Sequence, residues 1–367
     1  VCAAACAAAL IAAAAPTGQS PGSQAPPPVA AMRAGLVVQL GCGDLNALVE
    51  LAQLAARSRM VLQAFDRDPA RVDAAAKALG DRGLLGRTSV RLLTGARLPY
   101  AEEMANAIIV RDACGVSEAE LMRVLVPRGQ LWRMADGKWQ AAAKPWPADI
   151  DEWTHWLHGA DCNAVAADKL VGPPRRMKWV AEPYWSRHHH TVPSVTSMVT
   201  AGGRVFYIVD QAPSGMGGSA PDEWALVARD AFNGLALWEK PIDLWGWKAW
   251  SDEWTCRFTI PTNIPRRLVA AGDRVYVTLG YNSPLTELDA ATGEVLRTFA
   301  GTDFTDEILC DKGLLIVAVN QAAQRPDAGA KQRAGETPEP PVHKSVAAID
   351  AASGKMLWKQ GDFEGMH

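Results

Sequence analysis

A chain of 367 residues has room for about two domains of roughly 100–200 residues, each with a core of its own. Lys and Arg number 37 against 40 Asp and Glu, a net charge of -3 with the basic residues dispersed, so the electrostatic footprint of a nucleic-acid binder is missing. Fourteen Trp against seven Phe and five Tyr, concentrated after residue 130, mark the second half as built differently from the first.

The chain starts with "VCAAACAAALIAAAAPTGQ", a small-residue apolar run, and continues through a Pro/Gly/Ser/Gln-rich stretch. Residues 1–33 therefore read as a signal-like segment and a flexible linker, with the mature chain starting near residues 16–25 and the true first residues lying upstream. Export to the periplasm or cell envelope is the expectation. No later run approaches the ~18 apolar residues of a membrane span, so no transmembrane segment is expected after the signal. Cys42, Cys114, Cys162, Cys256 and Cys310 remain, an odd and widely spaced set with neither a disulfide framework nor a CxxC metal pair.

Residues 34–140 alternate strand and helix. "AGLVVQLGCGD" is a buried-strand run ending in a glycine turn, and "LNALVELAQLAARS" carries helical spacing at Leu45, Leu48, Leu51 and Ala55. "MVLQAFD" is the next strand. Asp68 caps a helix that has Pro69 at its first position. "SVRLLTG", "ANAIIVRD" and a Ser117-x-x-Glu120 capping box complete an alternation that predicts a parallel sheet with helices on both faces.

The order "VVQLGCGD", "AFDRDPARV", "LMRVLVPRGQLW" resembles class I S-adenosylmethionine-dependent methyltransferases over about 100 residues. The resemblance implies a Rossmann-like domain. It implies that Gly41 and Gly43 approach the methionine end of the cofactor, where a side chain would collide, and that Asp66 accepts from the ribose hydroxyls. Three positions depart from the family pattern: Gln39 and Ala96 stand where acids are usual, and Leu45 where a third glycine is usual. No catalytic motif and no acceptor base is visible, so the catalytic residues are unknown, and a fold retained without methyl transfer is weighed against an active one.

Residues 141–194 are a Trp/His-rich connector. His155, His158 and Asp161 cluster, and His188, His189 and His190 form a run; neither spacing is diagnostic of a metal, and hydrogen-bonding histidines at a domain seam are the expected reading.

From 195 to 367 one pattern returns three times: "LVARDAFNGLALWEKP", "LTELDAATGEVLRTF" and "VAAIDAASGKMLWKQ". In each, the side chain of Asp230, Asp289 or Asp350 can close an Asx turn, and Gly234, Gly293 or Gly354 supplies a positive φ, giving a β-hairpin. Further strands are expected at "GGRVFYIV", "GDRVYVTL" and "KGLLIVAV", so each unit holds three or four strands. The repeat resembles the pyrroloquinoline-quinone-like repeat of quinoprotein-dehydrogenase-type β-propellers over about 180 residues. That resemblance implies blades, with Trp238 and Trp358 packing between them and Arg297 substituting in the second copy. Adjacent cysteines, which those dehydrogenases use to hold the quinone, are absent, so the quinone is not expected.

The whole reads as a multidomain protein, an α/β methyltransferase-like domain followed by an all-β propeller whose ring is incomplete. The expected function is ligand or partner binding through blade loops, with Trp245, Trp247, Trp250 and Trp254 as a stacking surface for a carbohydrate or polypeptide. The alternatives are an S-adenosylmethionine-dependent methyltransferase, or a quinoprotein-type oxidoreductase completed by further blades. An open ring would leave Met356, Leu357 and Trp358 more exposed than Leu237 and Trp238, and would favour self-association.

Overall fold

The run "AGLVVQL" becomes the centre of a sheet in the computed structural model, which describes residues 26–135, 138–170, 172–173, 177–182, 194–213, 222–246, 249, 261–320 and 343–364. A short helix α1 (Pro27–Ala31) precedes β1 (Ala34–Leu40), α2 (Leu45–Ala56), β2 (Arg59–Asp66), α3 (Pro69–Gly80), β3 (Thr88–Leu92), β4 (Ala105–Val110), α4 (Glu118–Val124), β5 (Leu125–Ala135) and β6 (Lys138–Ala143). The six strands form one sheet in the order β3-β2-β1-β4-β5-β6. The first four junctions are parallel and β5–β6 is antiparallel, so the sheet is mixed rather than purely parallel. The exposed strand "KWQAAA" explains why β6 leaves no apolar alternation to read.

Caps fix the helix starts. The side chains of Asp44 and Asp68 accept from Ala47 N and Ala70 N. Ser117 accepts from Glu120 N, but Glu120 does not complete the expected box: its carboxylate accepts from Leu98 N and pairs with Arg123. Helices α2 and α3 cover one sheet face through Leu48, Leu51, Ala52, Ala75 and Leu79. Helix α4 covers the other through Leu121 and Val124. Each large apolar side chain so buried contributes about 1.5–3 kcal/mol.

Three four-stranded antiparallel sheets follow. The first holds β7 (Val195–Ala201), β8 (Arg204–Asp210), β9 (Trp224–Asp230) and β10 (Ala236–Pro241). The second holds β11 (Leu268–Ala271), β12 (Arg274–Thr278), β13 (Leu285–Asp289) and β14 (Val295–Thr298). The third holds β15 (Thr305–Asp311), β16 (Leu314–Asn320), β17 (His343–Asp350) and β18 (Met356–Glu364). One 3₁₀ turn, Ile264–Arg267, leads into β11.

The repeated hairpins follow their sequence. Asp230 Oδ1 accepts from Phe232 N at 2.8 Å, and Asp289 Oδ1 from Ala291 N at 2.9 Å. In the third copy Asp350 Oδ1 accepts from Ser353 N at 2.7 Å. Gly234, Gly293 and Gly354 have φ of 75°, 71° and 72°. One core lies between the first and second sheets, with Phe206 and Leu226 against Val275 and Leu288. Another lies between the second and third, with Tyr276 and Leu285 against Leu315 and Val317. Burial on both faces is why these strands do not alternate cleanly.

Successive sheets are keyed at their turns. The Trp238 indole lies on the turn of the second sheet: its Nε1 donates to Ala290 O at 3.0 Å, and a Cβ on Gly293 would sit 2.6 Å from its ring. Arg297 takes the same place on the third sheet's turn, donating to Ala352 O at 3.1 Å. Trp238 is 6% exposed, whereas Trp358 is 46% and Leu357 52% exposed, as expected of an uncovered flank. Met356 is half-buried and joins the core beneath it.

A segment of the connector runs along the first strands of all three sheets. Thr200 N donates to Trp153 O at 2.6 Å, Ala270 N to Thr154 O at 3.0 Å, and Cys310 N to His155 Nε2 at 3.0 Å. Those donors are the penultimate residues of β7, β11 and β15, the strand edges that would otherwise lack a partner.

Two outcomes are expected. Gly293→Ala and Gly313→Ala both place a side chain at positive φ, but a Cβ at 313 meets nothing within 4 Å. Urea unfolding should show Gly293→Ala to be the more destabilising by about 1–3 kcal/mol, from overlap with Trp238; equal losses would contradict the keyed turn. Burial, only partly offset by Asp161 and Asp311, holds His155 at about 4 instead of 6.5. The unfolded chain therefore takes up a proton that the folded chain refuses, so the contribution is full above pH 6.5 and is lost as pH falls towards 4, about 3 kcal/mol in all. His155→Gln, which keeps an acceptor for Cys310 N, should flatten that window of the stability profile.

Candidate functional site

The carboxyl ends of β1, β2 and β4 meet where the strand order reverses about β1, the place at which open α/β sheets form their crevice. Chain geometry there begins with Leu40 O, which accepts from Arg111 N at 2.9 Å and Asp112 N at 3.2 Å. That draws the turn after β4 against the turn after β1. Gly41, at φ 91°, is forced by this contact: a Cβ would lie 2.8 Å from both Asp112 N and Asp112 Cβ. The sequence reading assigned this glycine to cofactor clearance; the chain's own backbone already requires it.

Gly43 is different. A Cβ there would meet only Arg71, at 3.8–3.9 Å, an ordinary contact. Internal packing does not demand glycine at 43, and the space it leaves opens towards the Arg71 side chain.

Asp66 closes the corner. Its Oδ2 accepts from Cys42 N at 2.7 Å and its Oδ1 from Asp68 N at 3.0 Å, with the residue 2% exposed. Burial opposes its ionisation, but the amide hydrogen bonds and the Arg71 guanidinium outweigh that and hold the carboxyl below its ordinary value. An ionised carboxylate has about four acceptor positions, so the amides of Cys42, Asp68 and Arg67 do not exhaust it. Gln39, fully buried beneath the turn, donates Nε2–H to Gly41 O at 2.9 Å, while its Oε1 has no partner among the described residues. An orphaned buried acceptor costs about 1–3 kcal/mol unless something donates to it.

Two arginines that the sequence reading did not single out lie across this corner. Arg71 spans Asp66 at 3.8 Å, Asp68 at 3.5 Å and Asp112 at 3.6 Å. Arg67 donates to Cys114 O and, at 3.1 Å, to Gly95 O, bridging the turns after β2, β3 and β4. The signal was present in "AFDRDPAR", where basic residues follow the acid at one and five positions. The thiols nearby are not nucleophiles near neutrality: burial, with Asp66 adjacent, pushes Cys42 up to about 12, and burial raises Cys114 as well.

The other sequence candidates fall elsewhere. Trp245 is 4% exposed in the core between the first two sheets, its Nε1 donating to Thr196 Oγ1 at 3.3 Å, so it packs rather than offering a stacking face. Trp247, Trp250 and Trp254 lie outside the described residues, as do His188, His189 and His190. His155 spends Nε2 on Cys310 N and Nδ1 on Thr154 Oγ1, and His158 pairs with Asp151 at 2.7 Å. A groove of about 460 Å³ near these residues is lined by Arg128, Trp146, Asp151 and Glu152. Its acids are occupied by the chain, Asp151 by Ala167 N and Glu152 by Gly202 N. No helix among the described residues is long and apolar enough to cross a membrane.

No protein-family model matches the chain, and no curated protein does. Solved structures do resemble part of it. A SAM-dependent methyltransferase of Aquifex aeolicus is 18% identical over 28% of this chain and 56% of its own, with a TM-score of 0.25. The [4+2]-cyclase SpnF is 23% identical over 29% of this chain and 42% of its own, TM-score 0.25. Geranyl diphosphate methyltransferase in complex with SAM is 16% identical over 28% and 42%, TM-score 0.25. The chain spans about half the length, or less, of these proteins. So distant and partial a likeness leaves activity to be argued from the residues themselves.

The two glycines should separate experimentally. Gly41→Ala is expected to lower the thermal midpoint clearly, since it strains φ and overlaps Asp112. Gly43→Ala should stay within about 0.5 kcal/mol of the parent; a large loss there would mean the chain itself requires that glycine.

Proposed function

We propose that residues 34–140 form an S-adenosylmethionine-binding domain of the methyltransferase type, joined through a connector over 141–194 to blades of a pyrroloquinoline-quinone-like β-propeller from 195 onward. The observation that carries the first part is an ionised, amide-pinned Asp66 bonded to the glycine turn at Cys42 N, together with an orphaned Oε1 on Gln39, which is bonded to the same turn at Gly41 O. A ligand with a diol at one end and an ammonium at the other would donate to both. S-adenosylmethionine has that form, and when bound it supplies an electrophilic methyl group. Asp66 would hold the ribose hydroxyls, Gln39 the amino group, and Gly43 the clearance between them. The repeat sheets then act as a rigid scaffold for a ligand or polypeptide partner.

One observation favours a second reading, in which the α/β domain is kept for structure and the protein only binds: Arg67 and Arg71 hold the corner through the contacts above. Calorimetry on the full chain separates the two. S-adenosylmethionine and S-adenosylhomocysteine should both bind, and Asp66→Asn, which keeps an acceptor for Cys42 N, should weaken them about tenfold or more. Arg71→Ala should tighten binding by freeing Asp66. If neither the parent nor Arg71→Ala binds either compound, the cofactor reading is wrong and the binding-scaffold reading stands.

A further inference from the structure

The groove of about 460 Å³ is lined from two parts of the fold, by Arg128 on β5 and by Trp146, Ile150, Glu152 and His158 from the connector. Its volume is that of a small-molecule site. Arg128 is held there under strain. The register of β5 against β4 jumps from Ala105 opposite Leu125 to Ala107 opposite Gln130, and Arg128 sits in that bulge at φ 64°, a left-handed conformation that glycine adopts freely and arginine does not. Its amide donates to Lys144 O at 2.8 Å, so the β5–β6 pairing maintains the strain. His158 is left-handed as well, at φ 71°. Two strained non-glycine residues from separate elements thus meet at one cavity, and strain of this kind clusters at ligand sites.

The charges of the groove are anchored separately. The Arg128 guanidinium lies over the Trp146 indole, 4.6 Å from its centroid. Trp146 is itself fixed: Phe232 meets it edge to face at 6.0 Å, and a Cβ on Gly203 would come within 3.4 Å of its ring. Glu152 is held from another direction, its Oε1 accepting from Gly202 N at 2.6 Å. Asp151 is engaged three times over, by Ala167 N, Glu152 N and His158 Nε2. Arg128 and Glu152 are left as opposite charges on one groove, and among the described residues neither forms an ion pair, with the other or elsewhere. Neither can swing to the other without giving up its anchor. A stacked guanidinium still presents its edge N–H groups, and a carboxylate that holds one amide keeps about three acceptor positions.

We propose that this groove binds a small zwitterion of the free amino-acid class, its carboxylate received by the Arg128 fork and its ammonium by Glu152, with Ile150 as an apolar wall for the remainder. An anion alone would face Asp151 and Glu152, and a cation alone would face Arg128; a molecule carrying both charges satisfies both groups. Arg128 stands near the amino end of β5, beside the start of β4, so the groove and the Asp66 corner lie at opposite ends of the α/β sheet and the proposal is independent of the cofactor reading.

Calorimetry on the 367-residue chain tests it, with glycine, L-leucine and L-glutamate as probes. At least one should bind at millimolar concentration or below. For that probe the carboxamide, which lacks the carboxylate, and the N-acetyl derivative, which lacks the ammonium, should each bind about tenfold more weakly or worse. Arg128→Gln should erase the preference for the free acid over the carboxamide. Glu152→Gln, which keeps an acceptor for Gly202 N, should erase the preference over the N-acetyl derivative. Arg128→Gly relieves the left-handed strain, so binding should be lost while the thermal midpoint changes little. Asp66→Asn should bind as the parent does. Binding of none of the three probes overturns the proposal, as does an N-acetyl derivative that binds as well as the free amino acid, or unchanged binding in Arg128→Gly. Loss of binding in Asp66→Asn would place the amino acid at the other corner and overturn it equally.

Discussion

The architecture depends on how the free edges of three first strands are satisfied. Each of β7, β11 and β15 has one edge paired within its own sheet, and the opposite edge would leave amides without acceptors. Trp153, Thr154 and His155, three successive residues, supply those acceptors to three successive sheets. An extended chain advances only ~3.3 Å per residue, so the three edges must converge closely, and convergence fixes the fan-like disposition of the sheets. His155 can serve only as a neutral ring with its proton on Nδ1, donated to Thr154 Oγ1, so that Nε2 is left to accept. The same burial that depresses its proton affinity makes it a dependable acceptor.

Around that inner edge the outer contacts are of one kind. Glycine is present at 234 and 293 for two reasons at once: the turn needs a positive φ, and the missing Cβ is the seat of an indole from the neighbouring element. Either requirement alone would tolerate some substitution; together they admit only glycine. Arg297 shows that the seat accepts a planar guanidinium in place of an indole, donating to the turn carbonyl one position further on, Ala352 O rather than the equivalent of Ala290 O. Planarity and one N–H donor are what the seat selects.

Much of this was legible in the sequence, for identifiable reasons. The Asp-x-x-x-Gly hairpins could be read because turn chemistry is local, and Asp68 and Ser117 because capping is local. The motif pointed to Gly41 and Asp66, which the fold brings to one corner, but the packing reason for Gly41 could not be read, since its clash partner Asp112 lies 71 residues away. Trp245 read as a surface residue because it opens a run of four Trp within ten residues in which charged Lys248, Asp252 and Glu253 are interleaved, whereas its burial is decided by distant Thr196 and the second sheet. Arg67 and Arg71 escaped notice because the direction a long side chain takes is not written in its spacing. Trp179, whose indole lies on the Asp230–Gly234 turn and donates to Ala231 O, escaped because nothing local marks it and only its 55-residue offset from Gly234, the same as that of Trp238 from Gly293, betrays it.

The two halves are joined at the amino ends of the central strands of the α/β sheet, away from the Asp66 corner. Asn106, near the start of β4, donates to Asp230 Oδ2 at 2.7 Å and accepts from Asn233 Nδ2 at 2.9 Å; Asn233 also donates to Met104 O. Leu235 joins the core under that edge. The Asp66 corner, by contrast, lies at the carboxyl ends of the strands, so the first repeat sheet and that corner sit at opposite ends of β1 and β4. The first repeat sheet therefore does not reach the Asp66 corner with a side chain. A ligand at Asp66 could influence the scaffold only through β1 and β4 themselves. The Asn106–Asp230 hydrogen bond is one of several contacts, with Asn233 and Leu235, that tie β4 to the first repeated turn.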